Sequence, residues 1–185
     1  LALVPALSAL AAGNRVMLKL SEFTPHTNAV IKQIIDGEVA EHCIIVEGEA
    51  DTAASFCDLP FAHLLFTGST SVGRKVMQAA SKNLTPVTLE LGGKSPVVIL
   101  DDVNIKEAAK TLLFGKLNNA GQICVAPDYV FVPKKLEHQL VLQLCELYKK
   151  HFKQGVEGKN LTSIVSDRQY QRLIATLNDA KDKGA

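Results

Sequence analysis

Apolar and polar positions alternate along the chain on two length scales. Short runs rich in apolar and β-branched residues, at 15–20, 43–47, 63–67, 87–91, 97–100 and 129–132, read as strands. Longer stretches at 24–36, 50–57, 71–82, 105–119 and 134–152 read as helices. Several strand runs are almost continuously apolar, the pattern of strands covered on both faces, and their separation by helix-length segments predicts β-α-β units. The fold class is therefore α/β, a mainly parallel sheet with flanking helices. The apolar run 1–12 reads as a buried helix, and the polar stretch 178–185 as a helix end or a cut point.

One place breaks the alternation. The strand run 87–91 is followed by Gly92-Gly93-Lys94-Ser95-Pro96 and then directly by another strand run, which marks a change of domain near these glycines. Ligands of parallel α/β sheets bind beyond the carboxyl ends of strands, where loops lead into helix N-termini.

Composition narrows the function classes. The 185 residues are 47% apolar and 21% charged, enough to bury a core, and the length fits one domain or pieces of two. Twenty Lys and Arg against nineteen Asp and Glu give a net charge of +1, so no electrostatic case exists for a nucleic-acid partner. The run 1–12 is too short to span a bilayer and lacks the basic flank of a secretion signal, so no membrane association is expected. Cys43, Cys57, Cys124 and Cys145 are scattered without a C-x-x-C pair, and the five histidines stand singly. That usage predicts no metal site, no disulfide framework and a reducing, cytoplasmic setting. The chain opens at Leu1 in text that reads as mid-domain core, so an internal piece of a longer protein is expected.

Three strand ends and one loop carry candidate chemistry. From His63 to Arg74 the text reads as a strand, a turn with Gly68 and Ser69, and a helix start with Gly73. Such a turn suits phosphate, because free N–H groups and the positive helix end face the ligand and glycine permits close approach. The Gly68-x-x-x-x-Gly73 spacing approaches a P-loop, but Arg74 and Lys75 stand where that motif needs Lys and then Ser or Thr. It also lacks a G-x-G-x-x-G fingerprint, and taken alone it is equally a capped turn. Lys19 and Glu22 end the first strand run before Pro25. A Glu there can accept ribose hydroxyls and a Lys can meet a hydroxyl or a 2′-phosphate; solvated turn charges are the alternative.

Glu90 stands in an apolar strand run just before Gly92. Burial would raise its pKa toward that of a general base, whereas one solvent-facing Glu on a half-buried strand is the alternative. Cys124 lies where a helix gives way to a loop, in Asn118-Asn119-Ala120-Gly121-Gln122-Ile123-Cys124-Val125-Ala126-Pro127. A loop thiol near backbone amides can be a nucleophile, and a small core residue is the competing reading. Cys43, Cys57 and Cys145 fall in periodic apolar segments and read as core.

Taken together, Ala11-Ala12-Gly13-Asn14 with Lys19-x-Ser21-Glu22, then Phe66-Thr67-Gly68-Ser69, then Glu90-Leu91-Gly92-Gly93-Lys94-Ser95-Pro96, then Gly121-Gln122-x-Cys124 resemble the aldehyde dehydrogenase superfamily in order and spacing. Ala126-Pro127-Asp128-Tyr129 looks like the branch that holds the fatty-aldehyde and class 3 enzymes, and the text as a whole resembles bacterial coniferyl aldehyde dehydrogenases. The resemblance implies that Cys124 attacks the aldehyde carbon, that hydride passes from the thiohemiacetal to a nicotinamide, and that Glu90 activates the water that hydrolyses the thioester. The oxyanion would be held by the Cys124 backbone N–H and an Asn side chain from an earlier motif. Lys19 and Glu22 would hold the adenosine ribose, and Gly68, Ser69, Val72 and Gly73 would meet the rest of the cofactor around its pyrophosphate. The small-molecule partner would be an aldehyde, and the parent a homo-oligomer. Glu22 would repel a 2′-phosphate while Lys19 could compensate, so NAD is favoured with NADP as the alternative.

Residues 1–86 then correspond to the later part of an NAD(P)-binding domain and 87–185 to the first part of the catalytic domain. Leu20 replaces a common Pro and Ile123 a smaller residue. The Asn-bearing motif and the later Glu-Ile-Phe-Gly-Pro-type motif lie outside this text, so the isolated chain is expected to be weakly active or inactive and to leave apolar surface open. A non-catalytic nucleotide-binding relative would not need both Glu90 and Cys124, and a CoA-acylating enzyme would not need Glu90.

Overall fold

Three crossovers in which a strand leads through a helix to a parallel neighbour organise the chain. The computed structural model describes residues 2–155 and 158–184 and divides into two units, Leu1–Leu91 and Gly92–Ala185.

In the first unit, helix α1 (Leu3–Ala11) leads into strand β1 (Val16–Lys19), helix α2 (Pro25–Glu38) and strand β2 (Cys43–Val46). Helix α3 (Ala50–Cys57) then connects to strand β3 (Leu64–Gly68), helix α4 (Thr70–Ser81) and strand β4 (Val87–Leu91). β1 pairs with β2 and β3 with β4, both parallel, in two separate two-stranded ladders. Local chemistry starts the crossover helices. Pro25 opens α2, where its fixed φ suits a helix and its missing N–H costs nothing, and Ser69 caps α4 by accepting from the Val72 N–H at 3.3 Å. Ile35, Cys43, Leu64, Val76 and Ala80 are buried in this unit. Thr85, buried after α4, donates its hydroxyl to the Phe61 carbonyl at 3.0 Å and ties the entries to β3 and β4 together.

The second unit holds strand β5 (Ser95–Val98), helix α5 (Ile105–Leu117), a short 3-10 turn (Asn118–Gly121), strand β6 (Pro127–Phe131) and helices α6 (Lys134–His151) and α7 (Asp167–Asp182). β5 and β6 are parallel, with an irregularity at Ser95/Pro96. Asn104 caps α5 by accepting from the Lys106 and Glu107 N–H groups at 3.1 and 3.4 Å. Ile99, Ile105, Ala109 and Leu140 form the core, joined by Val97, Val130, Leu136 and Leu144.

The α/β class and the parallel crossovers agree with the pattern of the chain. Four details differ. First, α1 is a helix but not a buried one: only Ala6 is inside, while Val4 and Leu7 are 70% and 63% exposed. Second, the strands are not covered on both faces. Ile44, Leu65, Val98 and Phe131 point outward because no described element of their own unit packs on that side, which leaves open the apolar surface anticipated above. Third, Cys145 is exposed, because the core face of α6 is the Leu136, Leu140, Leu144, Leu147 stripe and position 145 lies off it. Fourth, α7 begins well before the polar tail, at a cap where Ser166 accepts from the Gln169 N–H at 3.4 Å. The break between units falls after Leu91 because β4 is hydrogen-bonded to β3; residues 87–91 thus go with the first unit.

Candidate active-site residues

In the first unit the chain leaves β1 through a turn held from below by a buried side chain. Asn28, 6% exposed on the inner face of α2, donates its Nδ2–H to the Ser21 carbonyl at 2.7 Å and accepts from the Thr24 hydroxyl at 3.1 Å. The Ser21 hydroxyl accepts from the Phe23 N–H at 3.3 Å. On this frame Lys19 Nζ meets a Glu22 carboxylate oxygen at 2.8 Å. The Lys19 ammonium, helped by the backbone N–H of Glu22 itself, holds the Glu22 carboxyl below the ordinary value for a glutamate. A cation and a carboxylate are thus presented together at a strand's carboxyl end, which suits a vicinal diol. Asn28 escaped the sequence reading; its signal was a polar residue seven positions before Ile35, on the same helical face.

Beyond β3, Gly68 and Gly73 lie against neighbouring side chains. A Cβ on Gly68 would run into the Phe66 ring, and one on Gly73 would lie 2.8 Å from Leu91 Cδ2. Gly73 therefore lets the first turn of α4 pack against the end of β4. Ser69 caps the helix, its hydroxyl 3.0 Å from that of Ser71, and Val72 lies exposed in the same turn. This opening presents backbone N–H groups at a helix N-terminus, the geometry that accepts anionic oxygens. In the ladder Thr67 is opposite Glu90 and Gly68 opposite Leu91. Glu90 and the Gly68 turn therefore sit on adjacent strands at one carboxyl edge. Glu90 is exposed: position 90 falls on the outward side of β4, the solvent-facing one of the two readings its strand allowed. Burial pushes the buried Cys43 thiol up, and burial with the adjacent Asp58 carboxylate does the same at the partly buried Cys57.

In the second unit Cys124 is exposed in the loop between the 3-10 turn and β6. The turn is unusual: Asn119, Ala120 and Gly121 all have positive φ, at 51°, 55° and 75°. Gly is free there and Asn tolerates it, whereas Ala pays about 1–2 kcal/mol for its Cβ. The Gln122 side chain closes over this turn, donating to the Asn119 carbonyl at 2.9 Å and to the Ser163 carbonyl at 3.1 Å, and accepting from the Val165 N–H at 2.9 Å. Asn119 Nδ2 donates back to the Gln122 carbonyl at 3.3 Å. Ser95 donates its hydroxyl to the Cys124 carbonyl at 3.4 Å, and Lys94 Nζ meets Asp128 at 2.8 Å, so the start of β5 and the Cys124 loop are joined on both sides.

The sequence-assigned residues thus fall into three groups. Lys19 and Glu22 are in contact; Gly68, Ser69, Val72, Gly73 and Glu90 share one strand edge in the first unit; Cys124 is presented by the second. Among the described residues no group of three or more His, Cys, Asp or Glu side chains could hold a metal, and no helix is long and apolar enough to cross a membrane.

With parallel crossovers, a glycine turn against a capped helix and an exposed loop thiol established, comparison with known proteins is decisive for the class. The aldehyde dehydrogenase family model matches residues 1–185, and the chain belongs to that family. It is 50% identical over 186 residues to a probable coniferyl aldehyde dehydrogenase of Pseudomonas aeruginosa, covering 100% of this chain and 39% of that protein. Among solved structures it matches a substrate-bound Staphylococcus aureus AldH, with a TM-score of 0.88 and 41% identity over 96% of this chain and 39% of that one. It also matches a Mycobacterium tuberculosis aldehyde dehydrogenase complexed with NAD+, with a TM-score of 0.81 and 29% identity over 96% of this chain and 38% of that one. The chain therefore spans about two fifths of the length of these relatives, 38–39%.

Proposed function

We propose that the complete protein oxidises an aldehyde to its carboxylic acid with NAD as hydride acceptor. The observation that carries this reading is a family match along the entire chain, beside which stand an exposed carboxylate, Glu90, at a strand end and an exposed loop thiol, Cys124. Cys124 is the nucleophile: its sulfur adds to the carbonyl carbon, a C–S bond forms, and the carbonyl oxygen becomes an oxyanion beside the Cys124 N–H. The nicotinamide, when bound, supplies the acceptor for the hydride lost from that carbon. The resulting thioester is opened by water, from which Glu90 takes a proton; the C–S bond breaks and the acid leaves.

The cofactor fits the first unit. Lys19 and Glu22 receive the adenosine ribose hydroxyls, and the Gly68, Ser69, Val72, Gly73 turn receives the pyrophosphate, since the positive end of α4 opens there beside a strand's carboxyl end. The Glu22 carboxylate favours NAD over NADP. The first unit then serves as the later part of a cofactor domain and the second as the first part of a catalytic domain. The identity to a probable coniferyl aldehyde dehydrogenase supports an aromatic aldehyde as substrate. A homo-oligomer in the cytoplasm completes the proposal.

The test is product analysis of the complete protein given coniferyl aldehyde, NAD and CoA. Acid formed in one-to-one ratio with NADH is the expected result; acyl-CoA as product, or no oxidation of any aldehyde, would overturn it.

A further inference from the structure

Gln122 carries no part of the chemistry above, yet it is the best-connected side chain around the Cys124 loop. Its amide uses both N–H groups and the oxygen, and the three partners belong to two stretches far apart in sequence: Asn119 in the 3-10 turn, and Ser163 and Val165 just before α7. The turn it closes has three successive positive φ values, one of them at Ala120. A backbone of that kind persists only where surrounding bonds over-determine it. Those bonds come from Gln122, together with the return bond from Asn119 to the Gln122 carbonyl. Two residues on, Cys124 has one side-chain tie, from Ser95 to its carbonyl at 3.4 Å.

We propose that Gln122 is a positioning residue for Cys124: by clamping the left-handed turn to residues 163–165 it sets where the thiol and its own N–H point. This rests on the reading of Cys124 as nucleophile. The consequence is a requirement on the 163–165 segment, which must present a carbonyl and an N–H to Gln122 even though neither residue touches the thiol.

Two variants and a control test it. Gln122→Met keeps the length of the side chain and removes all three hydrogen bonds. Gln122→Glu keeps the acceptor for Val165 and loses both donors, which makes it the milder change should the first fold poorly. In the 185-residue chain, amide hydrogen exchange at Val165 and across 119–124 is expected to speed up in Gln122→Met by about tenfold or more, the bonds that slow it being gone. In the complete protein, kcat for aldehyde oxidation is expected to fall about tenfold or more with KM within about twofold, since sub-ångström misplacement of a reacting group costs rate more than binding. Gln122→Glu is expected to fall between wild type and Gln122→Met in turnover. A general loss of structure would instead move KM and kcat together.

Cys124→Ala separates the two failures. If Cys124→Ala keeps full turnover, the nucleophile assignment fails and the positioning role falls with it. If Cys124→Ala is inactive while Gln122→Met turns over at the wild-type rate, the positioning role alone is refuted.

Discussion

Asn28 offers the clearest perturbation of the surface assigned to the cofactor. In Asn28→Ala the Ser21 carbonyl loses its shortest partner, the Nδ2–H at 2.7 Å, and keeps only contacts from the Thr24 N–H and hydroxyl at 3.3 and 3.4 Å. The Thr24 hydroxyl also loses its 3.1 Å acceptor. Losing a buried hydrogen bond of this kind costs about 1–2 kcal/mol. For a unit of 91 residues, Leu1–Leu91, that is a fall in melting temperature of about 4–15 °C. Asn28→Asp gives a second, pH-dependent arm. Its carboxylate would face the Ser21 carbonyl where an N–H had been, raising the folded-state pKa of the new side chain above its unfolded value. A raised carboxyl pKa leaves stability intact below the unfolded value of about 3.9 and removes it as pH climbs from there through the folded pKa. Melts of the three proteins between acid and neutral pH, followed by circular dichroism, read both effects. A melting temperature for Asn28→Ala within 1 °C of wild type, or an Asn28→Asp protein no less stable at neutral pH than in acid, would refute the reasoning.

Other consequences follow from the same geometry. Because Lys19 lowers the Glu22 carboxyl, the pair's contribution to stability is present above the ordinary glutamate pKa and is lost as pH falls through the lowered one; carboxyl titration by NMR should show Glu22 moving up toward the ordinary value in Lys19→Met. Gly121→Ala should destabilise by about 1–2 kcal/mol, since a Cβ at φ 75° is strained and would lie 3.1 Å from the Lys116 carbonyl oxygen, and urea midpoints measure this directly. Apolar residues left open on the second unit, Val98 and Phe131 at 66% and 59% exposed, should make the isolated 185-residue chain associate in a concentration-dependent way. Light scattering that shows a lone monomer at all concentrations would contradict that.

The crossovers were readable because β-branched runs and capped, periodic helices repeat along the chain; Ser69, Asn104 and Pro25 mark helix starts that residue type alone predicts. Burial was less readable. Leu136, Leu140, Leu144 and Leu147 set the inward face of α6, but Val141, Leu142 and Cys145 are also apolar, so periodicity blurred which side faced in. The environment of Glu90 stayed open for a related reason, as strand alternation permits either face and only the fold turns position 90 outward. In α7 the signal was present at Tyr170, Leu173, Ile174 and Leu177, behind the Ser166 cap, and was masked by the polarity of the surrounding residues. The left-handed Asn119-Ala120 turn had no such signal. Local propensity opposes it at Ala120, and the Gln122 bonds that close it reach residues 41 and 43 positions away, a tertiary fact with no local trace.

The most direct test of the proposed chemistry is a covalent trap. The complete protein carrying Glu90→Gln would be mixed with aldehyde and NAD, quenched in acid within one turnover, and its peptides mapped by mass. An acyl group on the Cys124 peptide that accumulates in Glu90→Gln and clears rapidly in wild type is the expected result. No adduct, or an adduct on Cys145 instead, would show that the exposed loop thiol is not the nucleophile.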